Sequence, residues 1–365
     1  MQKKRVFVAL SGGVDSAVSA SLLIREGYDV VGISMSIGAG VVVRDSEGHP
    51  PEDRPIMDVG GAARVAERLG IPLYVVDVRK AFNRDVVDYF CREYMEGRTP
   101  NPCIKCNEKV KLGTLWESAE RLGARTLATG HYARVAYDQE RRRYGLRKGV
   151  DRKKDQSYVL FSLSQDQLSR LRCPLGDVDK SQVREMARRL GITISDTAES
   201  QEICFIRGQD YRSYLRDRLG RHFGTGDIVD RQGRVLGTHN GIHGFTVGQR
   251  RGLGVSVGRP LYVIDIDRVA NRVIVGSERE AFRNRCVAFD VNWMAVESLT
   301  EPQDVEARIR YNHPGAAATI DPIGADRVRV RFKHPQKAVT PGQAVVFYEG
   351  DLLLGGGWIE KERDV

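Results

Sequence analysis

Three groups of residues in this 365-residue chain have the types and spacing that chemistry requires. Ser11-Gly12-Gly13-Val14-Asp15-Ser16 lies between a short apolar run and a stretch that reads as a helix. Two glycines let the backbone approach a pyrophosphate, and a helix start turns free N–H groups and a positive dipole end toward it. Ser11 and Ser16 add hydroxyl donors, and Asp15 supplies a carboxylate of the kind that holds magnesium. No Gly-Lys-Ser/Thr ending follows, so this is not the NTPase loop that grips the terminal phosphates. The second group is Thr99-Pro100-Asn101-Pro102-Cys103-Ile104-Lys105-Cys106-Asn107. Its prolines stiffen a loop and remove donors, which suits a platform held open for a substrate. Cys106 is expected at the N-terminus of a helix beginning near Glu108, where the dipole, Lys105 and Lys109 would favour the thiolate. The third group, Glu199-Ser200-Gln201-Glu202-Ile203-Cys204-Phe205, offers a second cysteine.

Each group has a plainer explanation. The first would be an ordinary glycine-rich turn. Cys103 and Cys106 would be half of a zinc site, although no second C-x-x-C and no suitable His pair accompanies them. Cys204, like Cys91, Cys173 and Cys286, would be a small buried hydrophobe.

The elements that must position these residues change character along the chain. The first part alternates strand and helix: strand Arg5–Leu10, helix Ala17–Glu26 stopped by Gly27, strand Val30–Met35, and a Gly/Pro-rich loop near Gly38–Asp58. A helix near Val59–Leu69, a strand Leu73–Val78, helices near Phe82–Met95 and Glu108–Leu122, and a strand Thr126–Thr129 follow. This alternation predicts a parallel sheet with helices on both faces and ligands at the carboxyl ends of its strands. Ser11–Ser16, Met35 and Gly130-His131 would open on that one edge. Beyond residue 205 the chain becomes rich in Gly and Val. Tyr262–Asp265 and Arg272–Val275 read as a hairpin, and Glu306–Arg310, Arg327–Phe332 and Ala344–Tyr348 as strands of a small antiparallel barrel. The expected architecture is an α/β N-terminal domain (1–208) followed by two small mainly-β domains (209–282 and 283–365), the last a β-barrel.

The formal charge is +9 and the isoelectric point about 9.3, which suits a polyanionic partner. The N-terminal stretch has no apolar run long enough for a signal peptide or membrane span, so a cytoplasmic protein is expected. In a reducing compartment the six cysteines are not a disulfide framework.

Several segments together resemble the tRNA-specific 2-thiouridylase family, within the ATP-pyrophosphatase (PP-loop) superfamily. They are Ser11–Ser16, Gly97-Arg98-Thr99-Pro100-Asn101-Pro102, Cys106-Asn107, Ala128-Thr129-Gly130-His131-Tyr132, Lys154-Asp155-Gln156-Ser157-Tyr158, Ile203-Cys204-Phe205-Ile206, Gly248-Gln249-Arg250-Arg251-Gly252-Leu253-Gly254 and Thr340-Pro341-Gly342-Gln343. They occur in the family's order and span nearly the whole chain. The loop Ser36–Asp58 matches the family poorly.

The resemblance implies an ATP- and magnesium-dependent transferase acting on tRNA, with an adenine nucleotide alpha hydrolase-like fold for the first domain. ATP would adenylate a uridine C2 oxygen, with Ala9, Leu10, Ser11, Gly12, Gly13, Val14, Asp15, Ser16, Met35 and Gly130 around the nucleotide. Asp15 would organise magnesium and pyrophosphate. Cys204 would receive sulfur as a persulfide from a donor protein and deliver it, with Cys106 attacking the persulfide. Asn101, Pro102 and Cys103 would meet a flipped-out base. His131, Lys154, Asp155, Gln156, Arg310, Tyr311 and Gln343 would touch the tRNA, although Arg310-Tyr311 also reads as a surface pair on a barrel strand. Cys103 stands where many members have aspartate, so Cys103, Cys106 and Cys204 also compose the three-thiolate set of a [4Fe–4S] cluster. Two other classes compete: another ATP-pyrophosphatase synthetase, and a non-catalytic RNA-binding protein with a vestigial loop.

Overall fold

The computed structural model describes residues 4–37, 60–192, 203–206, 210–219, 224–255 and 257–361. The expected loop Gly38–Asp58 and the segment Glu199–Glu202 lie outside the described residues. The chain divides into two compact units, one of Met1–Val86, Ile104–Thr197 and Asp351–Leu353, the other of Val87–Cys103, Ala198–Gly350 and Leu354–Val365.

The first unit is built on strands whose apolar runs are continuous rather than alternating. β1 (Arg5–Ala9) buries Val6, Phe7 and Val8 in succession, and β2 (Asp29–Ser36) buries Val30, Val31 and Ile33. Such runs suit strands covered on both faces. With β3 (Leu73–Asp77), β4 (Leu127–Ala128) and, past the hairpin β5 (Ala133–Asp138) and β6 (Arg143–Lys148), β7 (Leu171–Arg172), they form a sheet in the order β3-β2-β1-β4-β7. All four of its pairings are parallel. The helices Val14–Arg25 and Gly60–Leu69 set Ala17, Ala20, Leu23, Ala62, Val65 and Ala66 against Val6, Val8, Leu10 and Val30. From β1 the chain builds outward to β2 and β3 on one side, then returns to lay β4 and β7 on the other. The strand order therefore reverses between β1 and β4, and a crevice opens at their carboxyl ends.

The parallel sheet agrees with the sequence reading; the β5–β6 hairpin does not appear in it. Its turn carries none of the usual Asn-Gly or Gly-Gly signals. Instead Asp138 Oδ1 accepts from the N–H groups of Glu140 and Arg141, both at 3.0 Å, and Arg142 takes the positive φ of 52°.

In the second unit, β8 (Gly226–Asp230), β9 (Val235–His239), β10 (Tyr262–Asp267) and β11 (Arg272–Gly276) form a sheet in the order β10-β11-β8-β9. Here β10 and β11 are the expected hairpin. Ile228, Val263, Val273 and Val275 are its fully buried centre. Six further strands follow: β12 (Phe282–Trp293), β13 (Gln303–Arg308), β14 (Ala316–Pro322), β15 (Val328–Lys337), β16 (Ala344–Glu349) and β17 (Leu352–Ile359). Their order is β12-β15-β14-β13-β16-β17, and β12 pairs again with β17 to close a barrel. Alternation is plain in β15, where Val328, Val330 and Phe332 point inward and Arg329, Arg331 and Lys333 outward.

Burial of histidine gives the fold an acid limit. His131, His239, His243 and His313 are all buried, and desolvation, the largest cause for each, holds their protonation below 6.5, for His243 at about 4. Between these values the unfolded chain binds protons that the folded chain refuses. Stability is therefore full above pH 6.5 and falls as the pH drops toward 4. His243 alone is expected to remove on the order of 3 kcal/mol across that window. Urea unfolding at pH 7.5, 6 and 5 measures the decline; a flat profile contradicts it.

Candidate nucleotide and thiol sites

The Ser11–Ser16 loop sits at the crevice between β1 and β4. Gly12 has φ +80°, and a Cβ there would lie 2.7 Å from the backbone of Gly61, so only glycine fits. The loop is tied internally. Ser16 Oγ donates to the Gly13 carbonyl at 3.0 Å and lies 3.3 Å from Ser11 Oγ. Gly130 closes the other side: a Cβ on it would stand 3.0 Å from the Asp15 carbonyl carbon and the Ser16 nitrogen. Met35 lies near the end of β2, beside Val76 of β3. Thus Ala9 through Ser16, Met35 and Gly130 share the carboxyl edge of one sheet.

Asp15, at the second position of helix Val14–Arg25, is held by partners the sequence did not point to. Tyr132 Oη donates to its Oδ1 at 2.8 Å, and Lys180 Nζ donates to both oxygens at 2.6 and 2.9 Å. Gln156 fixes Tyr132 in turn: its Oε1 accepts from Tyr132 N–H at 3.1 Å, and its N–H donates to the Tyr132 carbonyl at 2.9 Å. One carboxylate beside phosphate oxygens supplied by a nucleotide is a donor set that suits magnesium, provided the lysine ammonium yields its place. Lys180 was missed because it lies 165 positions from Asp15.

The helix carrying Cys106 begins earlier than expected. Helical turns start at Pro102 and run through Lys105, then Cys106–Leu115, then Trp116–Arg121. The prolines that read as loop stiffeners include the helix's first residue, where a missing N–H costs nothing and φ is already set. The first turn therefore belongs to Cys103, which is exposed, while Cys106, half-buried, opens a π-helical stretch. Glu108 also takes up both neighbouring cations, Lys105 at 3.3 Å and Lys109 at 2.7 Å. The helix start foreseen near Glu108 is thereby corrected to Pro102.

π-helical turns are rare and cluster at functional sites. This one is held from outside. Gln167 Nε2 donates to the carbonyls of Glu108 and Leu112 at 2.9 and 2.8 Å, while its Oε1 accepts from Ser164 N–H at 3.0 Å in a capping box. Asn107 is buried, donating to the Val159 carbonyl at 3.0 Å and accepting from Lys111 at 2.9 Å. Lys111 in turn lies close enough to His131 to disfavour its protonation, after burial.

In the second unit Cys204 is exposed on a short turn, Ile206 N–H to Ile203 carbonyl, 2.9 Å. Phe205 anchors that turn edge-on against Phe90 at 5.3 Å and beside Tyr214 at 5.4 Å. The loop before Cys103 is equally braced. Gln343 Nε2 donates to the carbonyls of Thr99 and Pro100 at 3.0 and 3.1 Å, and Thr99 N–H donates to the Pro341 carbonyl at 2.9 Å. Asn101 is half-buried and Pro102 buried. By contrast Cys91 and Cys286 are buried, and burial raises the Cys91 thiol and pushes Cys173 up to about 12.

The residues expected to touch tRNA divide. Asp155 is buried and accepts from Gly149 N–H, Ser157 N–H and Ser157 Oγ, each at 3.1 Å. His131 is buried with Nδ1 2.8 Å from Thr129 Oγ1. Gln156 and Gln343 brace backbone, as above. Lys154 is half-buried and Tyr311 exposed; Arg310, just past β13, donates to the Lys337 carbonyl at 3.1 Å. Among the described residues, no three His, Cys, Asp or Glu side chains gather to hold a metal ion. No helix among them is long and apolar enough to cross a membrane.

Fold and loop define an α/β protein of the nucleotide-binding PP-loop class. Family models agree: the tRNA methyl transferase HUP domain matches residues 4–208, the tRNA methyl transferase PRC-barrel domain 212–277, and the aminomethyltransferase beta-barrel domain 283–359. The chain is 50% identical over 359 residues to tRNA-specific 2-thiouridylase MnmA of Carboxydothermus hydrogenoformans, covering 98% of both chains. It is 45% identical to the same-named protein of Clostridium acetobutylicum, covering 98% of this chain and 99% of that one. For that of Pelotomaculum thermopropionicum the identity is 47%, over 100% and 99%. The chain belongs to the tRNA-specific 2-thiouridylase family.

Replacing Gln167 with leucine strips the π-helical carbonyls of their outside donor and is expected to cost about 2 kcal/mol in urea unfolding. It should also change the Cys106 alkylation rate severalfold, read by peptide mapping, while leaving Cys204 unchanged. Equal Cys106 rates in both proteins would dismiss the positioning role.

Proposed function

We propose that this chain catalyses ATP-dependent 2-thiolation of the wobble uridine of tRNA in the cytoplasm. Full-length identity to the thiouridylases supports the overall reaction; the observation that carries the ATP step is the Ser11–Ser16 loop at the strand-order reversal, with Asp15 at its helix end. In this scheme residues 1–208 are the ATP-binding catalytic domain, 209–282 a central tRNA-binding domain and 283–365 the C-terminal barrel domain. Ala9–Ser16, Met35 and Gly130 surround the adenine nucleotide, and Asp15 would hold magnesium, which screens phosphate charge when bound.

The C2 carbonyl oxygen of uridine is a poor leaving group. Attack of that oxygen on the α-phosphorus of ATP forms the adenylated base and releases pyrophosphate. A donor protein leaves a persulfide on Cys204, and its terminal sulfur attacks C2. The Cys106 thiolate then attacks Cys204 Sγ, breaking the S–S bond and leaving sulfur on the base. AMP departs with the former C2 oxygen, and the Cys106–Cys204 disulfide is returned to thiols by a cellular dithiol. This chemistry needs the two Cα atoms to approach within about 5.5–6 Å. Asn101, Pro102 and Cys103 would hold the base. Among the tRNA residues, Lys154, Arg310 and Tyr311 make contacts, whereas Asp155, Gln156 and Gln343 brace backbone and His131 pairs with the Thr129 hydroxyl. The alternative is the same reaction with a [4Fe–4S] cluster on Cys103, Cys106 and Cys204.

The exposure of Cys204, beside an anchored Phe205, leads to a separable outcome. Cys204→Ser is expected to lose thiolated product by roughly a thousandfold or more, yet to keep tRNA-dependent pyrophosphate release. Mercury-gel retardation of the tRNA reports the first and a coupled phosphate assay the second. Undiminished retardation would remove Cys204 from the mechanism, and pyrophosphate release driven by ammonia instead of tRNA would favour a different synthetase.

A further inference from the structure

A cation from outside the loop motif reaches the Asp15 carboxylate. Lys180 Nζ lies 2.6 and 2.9 Å from its two oxygens, and Tyr132 Oη shares the first at 2.8 Å. The Lys180 side chain is 11% exposed and that of Asp15 37%. The ammonium is thus sheltered while the carboxylate edge stays open to an arriving ligand. Lys180 opens the helix Lys180–Arg189, and its own N–H donates to Asp151 Oδ2 at 3.1 Å. Its Nζ also stands 5.6 Å from the centre of the Tyr132 ring.

The ion pair is not what docks this helix. Val183 and Ala187 already pack with Val18, Tyr132 and Leu175 in an apolar cluster. A sheltered ion pair adds little net stability, because desolvation offsets the attraction. A pyrophosphate, however, brings several negative charges to the Ser11–Ser16 loop, where Asp15 contributes another of the same sign. A cation between them cancels that repulsion and offers charge-assisted hydrogen bonds to phosphate oxygens. Lysine suits the task, being a compact charge on a flexible stem.

We propose that Lys180 is a pyrophosphate-binding cation of this site, held toward the phosphate oxygens by Asp15 and Tyr132 when no magnesium occupies the carboxylate. The proposal rests on Ser11–Ser16 being the ATP loop. The test is isothermal titration of the full chain with inorganic pyrophosphate, with magnesium and in EDTA, alongside ligand-free thermal melts. Lys180→Met is expected to weaken magnesium-free binding roughly ten- to hundredfold while moving the melt little. Acylation of Lys180 in the unaltered protein, mapped by mass spectrometry, supplies a second measurement should that variant not fold. Pyrophosphate is expected to slow this labelling severalfold. Wild-type affinity in Lys180→Met, or labelling indifferent to pyrophosphate, overturns the assignment and leaves the ATP loop standing. If the unaltered protein binds neither pyrophosphate nor ATP, the loop itself has been misread and the assignment falls with it.

Discussion

The close passage of Gly130 against the Asp15–Ser16 peptide, where a Cβ would lie 3.0 Å from backbone atoms, is the constraint on which the nucleotide site depends. It brings the end of β4 against the start of the helix after β1, at the one place where the strand order reverses. Everything attached to those two segments is positioned by that contact. Tyr132, two residues beyond Gly130, reaches Asp15. Gln156 grips Tyr132 through its backbone. Within the same stretch Thr129 Oγ1 and His131 Nδ1 lie 2.8 Å apart. A substitution at Gly130 would therefore disturb more than a patch of binding surface.

The second unit applies the same economy to its thiol and its loop. An exposed cysteine needs a backbone that stays where it is, and Cys204 obtains it from Phe205 in an aromatic cluster with Phe90 and Tyr214. The Thr99–Pro100 carbonyls are unsuited to regular pairing because proline interrupts the chain. They receive their donors from the Gln343 side chain instead. In both units the side chains that brace a loop or turn differ from those the loop or turn exposes.

That division explains what was legible in the sequence. The parallel sheet, the β10–β11 hairpin and the barrel declare themselves because buried strands leave apolar runs or alternation that a linear reading detects. Ser11–Ser16 is legible because two glycines between strand and helix have few other uses. The helix start at Pro102 was not, since proline signals a loop and a first helical turn equally well. The β5–β6 turn hid its positive φ at Arg142, a residue that carries no turn signal. Lys180 and Gln167 were illegible for a different reason. Lysine and glutamine are ordinary surface residues, and only the fold brings them to Asp15 and the Glu108 carbonyl.

Family motifs mix two kinds of residue, and burial separates them. Asp155 lies in a matching segment, yet a buried carboxylate taking three donors cannot also meet a polyanion without like-charge repulsion. Its charge is spent on the backbone of Gly149 and Ser157, and removing it would leave those N–H groups unsatisfied, a cost of about 1–3 kcal/mol each. Lys154, one residue earlier, faces the opposite constraint, because an ammonium gains from phosphate and loses by burial. Adjacent residues of one motif thus meet opposite electrostatic demands. The same logic sorts the cysteines. Burial raises the Cys91 and Cys173 thiols and so disfavours their thiolates, whereas Cys106 is half-buried and Cys103 and Cys204 are exposed.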